Sequence, residues 1–305
     1  VKPRHLFNLL FLNVCWSATP SIYKRLEDKL DAGGVATLRF GLAAIILCVL
    51  WPLFPGRAPR GWDLVKTVLL GLTVFCLGHR LQVYGVQTGS ASNSAILMAI
   101  EPLITAIAAA VFLREHIRGR SWVGFALGVF GVMLLSRVFS SGFKMVGLAP
   151  SLFFLSSFLC ETAYSVFGKA IILRSHYLKT CALGLLAGTV GNLLIDGGTT
   201  WRAAARLDGA EWAMVVFMAT ICTAIGYTYW FRVIQETDVN LVGLTIYAQP
   251  VSGFLLAWWW LGEEPHFGQF WGGLAIIAGL VVGFWKSSNS PPVRKSPVPV
   301  DQFPQ

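Results

Sequence analysis

Apolar residues in this chain come in long blocks separated by short polar loops. A bilayer core takes about 20 apolar residues as a helix. Ten blocks near that length can be placed: 6–23, 34–53, 64–86, 90–113, 121–139, 147–173, 178–195, 210–234, 239–261 and 267–285. The block at 178–195 is short and rich in glycine. Two blocks carry a proline in their middle: MAIEPLITAIAAAVFLRE, from Met98 to Glu115, and IYAQPVSGFLLAWWWLGE, from Ile246 to Glu263. A mid-helix proline loses a backbone hydrogen bond, and a carboxylate such as Glu101 is costly in hydrocarbon.

The two proline blocks are copies. An offset of 148 pairs Pro102 with Pro250 and Glu115 with Glu263, and it holds along the rest of the half without a gap. It pairs Ser17 with Ser165, Gly78 with Gly226, Gln87 with Gln235, Gly124 with Gly272 and Gly131 with Gly279. Five blocks per copy is an odd number, so the second copy must enter the membrane from the opposite side. The pattern predicts an all-α integral membrane fold of ten transmembrane helices, arranged as two inverted-topology five-helix repeats. The first repeat covers 1–139 and the second 140–286; the Pro- and Ser-rich tail 287–305 reads as disordered and cytoplasmic. Inverted repeats are typical of alternating-access transporters, and interrupted helices at matched positions point to the binding site.

Composition agrees with a membrane protein. The 305 residues are 55% hydrophobic and 13% charged, too apolar for a soluble chain of this length to cover. The net charge of +9 does not signal nucleic acid, because the basic residues lie mainly at block ends. Lys and Arg are in excess in the loops that share a side with the N-terminus, which predicts both termini cytoplasmic in a cell (inner) membrane. The first block is long enough to span and has no cleavage pattern behind it, so it reads as a helix and not a signal peptide. Most of the 12 tryptophans fall near block ends, where aromatic belts form; Trp16 lies deep in the first. The six cysteines are scattered, with no zinc or redox spacing.

The ordered motifs VCWSATPSIYK (Val14 to Lys24), LRFGLAA (Leu38 to Ala44), the proline blocks ending FLRE and WLGE, and the following GFALGVFGV and GGLAIIAGL resemble the drug/metabolite transporter superfamily, in its ten-helix branch with two EamA-type domains. The resemblance covers roughly residues 6–285. It implies that helices 1, 3, 4, 6, 8 and 9 surround a central substrate path. The chain departs from the family at Ser17 and Arg114, where glycine is common, and has Ala187 opposite Arg39.

Polar groups deep in apolar blocks are the candidates for substrate binding: Asn13, Trp16, His79, Arg80, Glu101, Glu161, Tyr164, Tyr227, Tyr247 and Gln249. Glu101 and Arg80 come from consecutive helices, so an ion pair between them would lower the cost of burying both. Glu161 either pairs across helices, with Arg80 for instance, or stays protonated and couples proton movement to transport. Trp16, Tyr164, Tyr227 and Tyr247 suit an amphipathic wall. Pro102 and Pro250 read as matched hinges. Arg39, about a turn inside its block, reads as an outer-leaflet anchor or a structural arginine. Lys169 and Arg232 are placed to snorkel. Glu115 and Glu263 read as caps in water or headgroups.

The expected function is secondary-type transport of small organic solutes, amino acids or related metabolites foremost, with export favoured, by rocking of two inverted bundles. No phosphate-binding G-x-x-x-x-G-K-[ST] loop occurs, and no metal, cofactor or catalytic residue is expected. The partners expected are a small-molecule substrate and the lipid bilayer, with no nucleic acid; a homodimer through outer helix faces stays open. The rivals are a sugar-phosphate or nucleotide-sugar carrier of the same fold, an intramembrane enzyme, and a non-transporting membrane protein. The carriers would need several basic groups facing the cavity.

Overall fold

The computed structural model describes residues 1–88, 97–136, 138–139, 148–261 and 267–285, and among these it is helical with no strand. The tail 287–305, Glu263 and the side chain of Gln87 lie outside the described residues. In chain order the helices are α1 (Pro3–Ser17), α2 (Thr19–Leu26), α3 (Ala32–Leu50), α4 (Trp62–Gly71), α5 (His79–Thr88), α6 (Glu101–Phe112), α7 (Gly119–Leu135), α8 (Leu148–Ile172), α9 (Tyr177–Ala204), α10 (Gly209–Phe217), α11 (Gly226–Glu236), α12 (Val239–Leu244), α13 (Ala248–Leu261) and α14 (Phe267–Phe284). Among the described residues six runs are long and apolar enough to cross a membrane: Ala32–Leu53, Trp62–Gly85, Ser151–Ile172, Tyr177–Ala204, Gly209–Glu236 and Phe267–Phe284. α6 and α7 are shorter apolar helices.

Local chemistry sets the breaks. Pro20 lacks the N–H that would continue α1, and the Thr19 hydroxyl turns back to the Trp16 carbonyl at 2.8 Å, so the chain re-starts as α2. The Asp31 carboxylate accepts from the Gly34 N–H at 2.7 Å and caps α3. Asp208 and Glu211 form a reciprocal capping box at the start of α10. The Glu211 N–H bonded to Asp208 holds that carboxyl below its ordinary range. The prolines, expected in mid-helix, stand in first turns. α6 begins at Glu101, just after a turn at Ala99 and Ile100, and α13 follows a 3-10 turn over Thr245–Tyr247. A first turn tolerates proline because its N–H would be unsatisfied anyway. The interruption therefore lies just before each proline.

Two seven- to eight-residue π-helical stretches, Leu72–Gly78 and Met218–Ile225, join α4 to α5 and α10 to α11. A π turn widens the ladder and opens carbonyls to outside donors. The Phe75 carbonyl accepts from Asn192 Nδ2 at 2.9 Å, and the Cys222 carbonyl from Trp16 Nε1 at 2.6 Å.

The packing pairs follow the 148-residue offset. α1 packs on α13 and α6 on α8; α3 packs on α9, and α7 on α14. The offset carries α1 into the range of α8, α6 into that of α13, α3 into that of α9, and α7 onto that of α14. The α7–α14 contact depends on glycine. A Cβ on Gly131 would lie 2.6 Å from the Gly272 carbonyl oxygen, and one on Gly272 would lie 2.5 Å from that of Gly131. Such close approach of helix backbones needs small residues. A buried cluster including Phe40, Phe75, Tyr164 and Phe231 fills the centre of the bundle.

Candidate functional site

A cavity of about 860 Å³, counted with its mouth, opens between α1, α2, α3, α5, α6, α8, α11 and α13. The expected residues Trp16, His79, Glu101, Glu161, Tyr227 and Gln249 line it. So does Arg39, which corrects its reading as an outer anchor: its side chain is buried well inside α3. The N-terminal end of α3 is packed against α2 and α10 residues, so nearness to a helix end is not nearness to water.

Arg39 organises the polar wall. Its Nε donates to Thr223 Oγ1 at 2.7 Å, and Thr223 is held in the second π stretch by its own bond to the Met218 carbonyl at 2.8 Å. Nη1 reaches the Tyr23 hydroxyl and lies 2.7 Å from His79 Nε2. The Tyr23 hydroxyl is also 3.1 Å from that nitrogen. An imidazole nitrogen facing a guanidinium must accept, which puts the ring proton on Nδ1. Nδ1 points to Glu161 Oε1 at 3.7 Å, too long for a hydrogen bond. That same oxygen accepts from the Tyr227 hydroxyl at 2.8 Å. Arg39 and Glu161 thus stand on opposite sides of one imidazole.

Glu101 has no hydrogen-bond or ion-pair partner among the described residues, although it faces the cavity. The expected pair with Arg80 is not formed. Arg80 Nε donates to Asn192 Oδ1 at 2.8 Å, and its Nη2 pairs with Asp196, so the side chain lies toward α9. Glu161 likewise meets Tyr227 and His79 in place of Arg80.

Three further candidates lie behind the wall. Asn13 is fully buried; it donates to the Leu9 carbonyl at 2.8 Å and to Thr245 Oγ1 at 3.1 Å. Its own carbonyl oxygen accepts from Gln249 Nε2 at 2.8 Å, so it positions a lining residue. Tyr164 stacks on Phe231 with centroids 4.6 Å apart and belongs to the packed centre. Tyr247 donates to the Ala99 carbonyl at 2.9 Å, where it ties the α6 break to the second half. Lining residues that sequence reasoning passed over include Tyr23, Thr105, Ser165 and Trp230. Trp230 Nε1 donates to Ser165 Oγ at 3.1 Å, and the offset pairing of Ser17 with Ser165 had already marked that position.

One end of the bundle carries a second buried polar node. Lys169 does not snorkel: Nζ donates to Glu115 Oε1 and to the Thr237 carbonyl, both at 2.8 Å. Nor is Glu115 in water. Its side chain is 6% exposed, and it accepts from the Val239 and Asn240 N–H groups at 2.9 and 3.1 Å, capping α12 from the loop between α6 and α7.

The EamA-like transporter family matches residues 4–137 and 148–285. The chain belongs to this family. Among relatives of this EamA-like protein, the uncharacterized transporter YdfC of Bacillus subtilis is 24% identical over 277 residues, covering 91% of this chain and 89% of that protein. A probable terminal-alkyne amino-acid exporter of Streptantibioticus cattleyicolor is 26% identical over 280 residues, covering 90% and 91%. A probable amino-acid metabolite efflux pump of Escherichia coli is 25% identical over 287 residues, covering 90% and 92%. A solved crystal structure matches the EamA-like fold with TM-score 0.75 at 18% identity, over 92% of this chain and 95% of that one; at that identity the likeness concerns the fold alone. The apolar helices and the family together make the protein a multi-pass membrane transporter.

Proposed function

We propose that this protein is a secondary-type transporter that moves small organic solutes, amino acids or related metabolites foremost, out of the cell by alternating access. Its ten transmembrane helices form two inverted five-helix repeats, with both termini in the cytoplasm. The carrying observation is the cavity, where charged and polar side chains from both halves meet: Arg39, His79 and Glu101 from the first, Glu161 from the second. Charged groups at membrane depth mark substrate pathways. The offset packing of α1 on α13 and α6 on α8 supports two similar units that rock against each other. The names of the S. cattleyicolor and E. coli relatives support amino-acid export, and relatives named as transporters favour transport over catalysis. A sugar-phosphate or nucleotide-sugar carrier fits less well, because two carboxylates share the wall with a single arginine.

Counterflow in proteoliposomes tests the reading, with the twenty protein amino acids as labelled solutes. Saturable uptake that falls at least tenfold in Glu101→Gln and Glu161→Gln is expected. Uptake equal to that of empty liposomes for every solute would sink the amino-acid assignment. Product chemistry in place of flux would sink transport.

A further inference from the structure

The cavity's charges are not balanced. Arg39 and Glu161 flank His79 and offset one another across the ring. Glu101 is then a second carboxylate without a cation among the described residues, lining the same cavity as Glu161. A buried carboxylate without a partner is strongly destabilising, and a lone cation placed between two carboxylates relieves both. On the opposite side Arg39 uses Nε and Nη1 on Thr223, Tyr23 and His79, while Nη2 makes no hydrogen bond among the described residues. A guanidinium edge with free N–H groups is shaped for a carboxylate. The same lining includes the apolar side chains of Trp16, Trp230, Ile246 and Phe154.

We infer that the cavity is a two-pole site for a free amino acid, whose ammonium sits between Glu101 and Glu161 and whose carboxylate takes Nη2 of Arg39. The aromatic and aliphatic wall receives its side chain. The inference rests on the transport reading only for flux; binding stands or falls independently. Glu101 is the residue that demands the amine. Arg39 is held in place by its three partners, and Tyr23 and His79 position it.

The test begins with a ligand series on the unaltered protein. Purified protein in detergent is titrated with L-phenylalanine, with 3-phenylpropionate, which lacks the amine, and with phenethylamine, which lacks the carboxylate; the readout is the rise in Tm. The expected order is phenylalanine first, with each analogue binding at least tenfold more weakly. In Glu101→Gln, the gap between phenylalanine and 3-phenylpropionate should shrink to threefold or less. Equal binding of 3-phenylpropionate and phenylalanine by the unaltered protein would overturn the ammonium pole. Equal binding of phenethylamine would overturn the carboxylate pole. No rise in Tm with any of the twenty protein amino acids would overturn both. Counterflow with the same compounds separates the two readings. Binding in the expected order without flux defeats transport and leaves the poles standing. Flux without discrimination defeats the poles and leaves transport standing.

Discussion

Arg80 and Asp196 carry opposite charges on α5 and α9, and each is about one-fifth exposed. Asn192 stands one turn before Asp196; it accepts from Arg80 and donates to the Phe75 carbonyl of the first π stretch. The three side chains therefore hold the widened turn open from α9. Removing one partner of a fully buried pair costs about 3–5 kcal/mol, and the partial exposure here brings the expectation for Asp196→Asn to about 2 kcal/mol. Thermal unfolding in detergent should show a clear fall in Tm, with the relative affinities of the phenylalanine series unchanged. Altered affinities at unchanged Tm would place Arg80 at the substrate after all. This pair was illegible in the sequence for a physical reason. The apolar pattern stops at Ile195, yet α9 continues to Ala204, because Asp196 finds its cation on another helix. The pairing of Arg80 with Glu101 was argued from chain proximity, and tertiary packing decided otherwise. The carboxylates Glu101 and Glu161 were legible because nothing local explains them.

At the scale of elements, Glu115 fastens α12 to α8. One carboxylate takes two backbone N–H groups, the Asn240 side chain at 2.9 Å and the Lys169 ammonium. Thr237 and Lys169 close the same node through the Thr237 carbonyl. Without Glu115 the first turn of α12 would present unmet donors to a buried ammonium. Glu115→Ala is expected to cost about 3 kcal/mol, and Glu115→Gln about half of that, since the amide keeps an acceptor but loses the charge. Hydrogen exchange at the Val239 and Asn240 amides should quicken in the same order. Exchange that is unchanged in Glu115→Ala would show the cap to be dispensable. The sequence marked Glu115 through its match to Glu263, but not its target, which lies more than 120 residues onward at the start of α12. The prolines were also found by their match. What the matched prolines do became clear only from the turns that precede them.

Across the whole molecule the offset has a consequence for sidedness. If the halves are inverted, positions 148 residues apart face opposite solvents. Ala58, in the loop between α3 and α4, corresponds to Arg206, in the loop between α9 and α10. The first loop carries Arg57 and Arg60, and the excess of Lys and Arg predicts that it faces the cytoplasm. The packing supports the same geometry: α7 and α14 cross with Gly124 against Gly279 and Gly131 against Gly272, each glycine meeting the other's carbonyl. Reciprocal contacts of this kind are what a two-fold relation between antiparallel units produces. With the six natural cysteines replaced, Ala58→Cys and Arg206→Cys can each be probed in intact cells by a membrane-impermeant maleimide. Arg206→Cys should react from outside, and Ala58→Cys only after the membrane is opened. Reaction of both from the same side would rule out inverted halves. Reaction of Ala58→Cys alone from outside would keep the inversion and reverse the orientation. The cavity's charged wall would then serve the same exchange from the other face, because a site built from both halves belongs to neither side of the membrane.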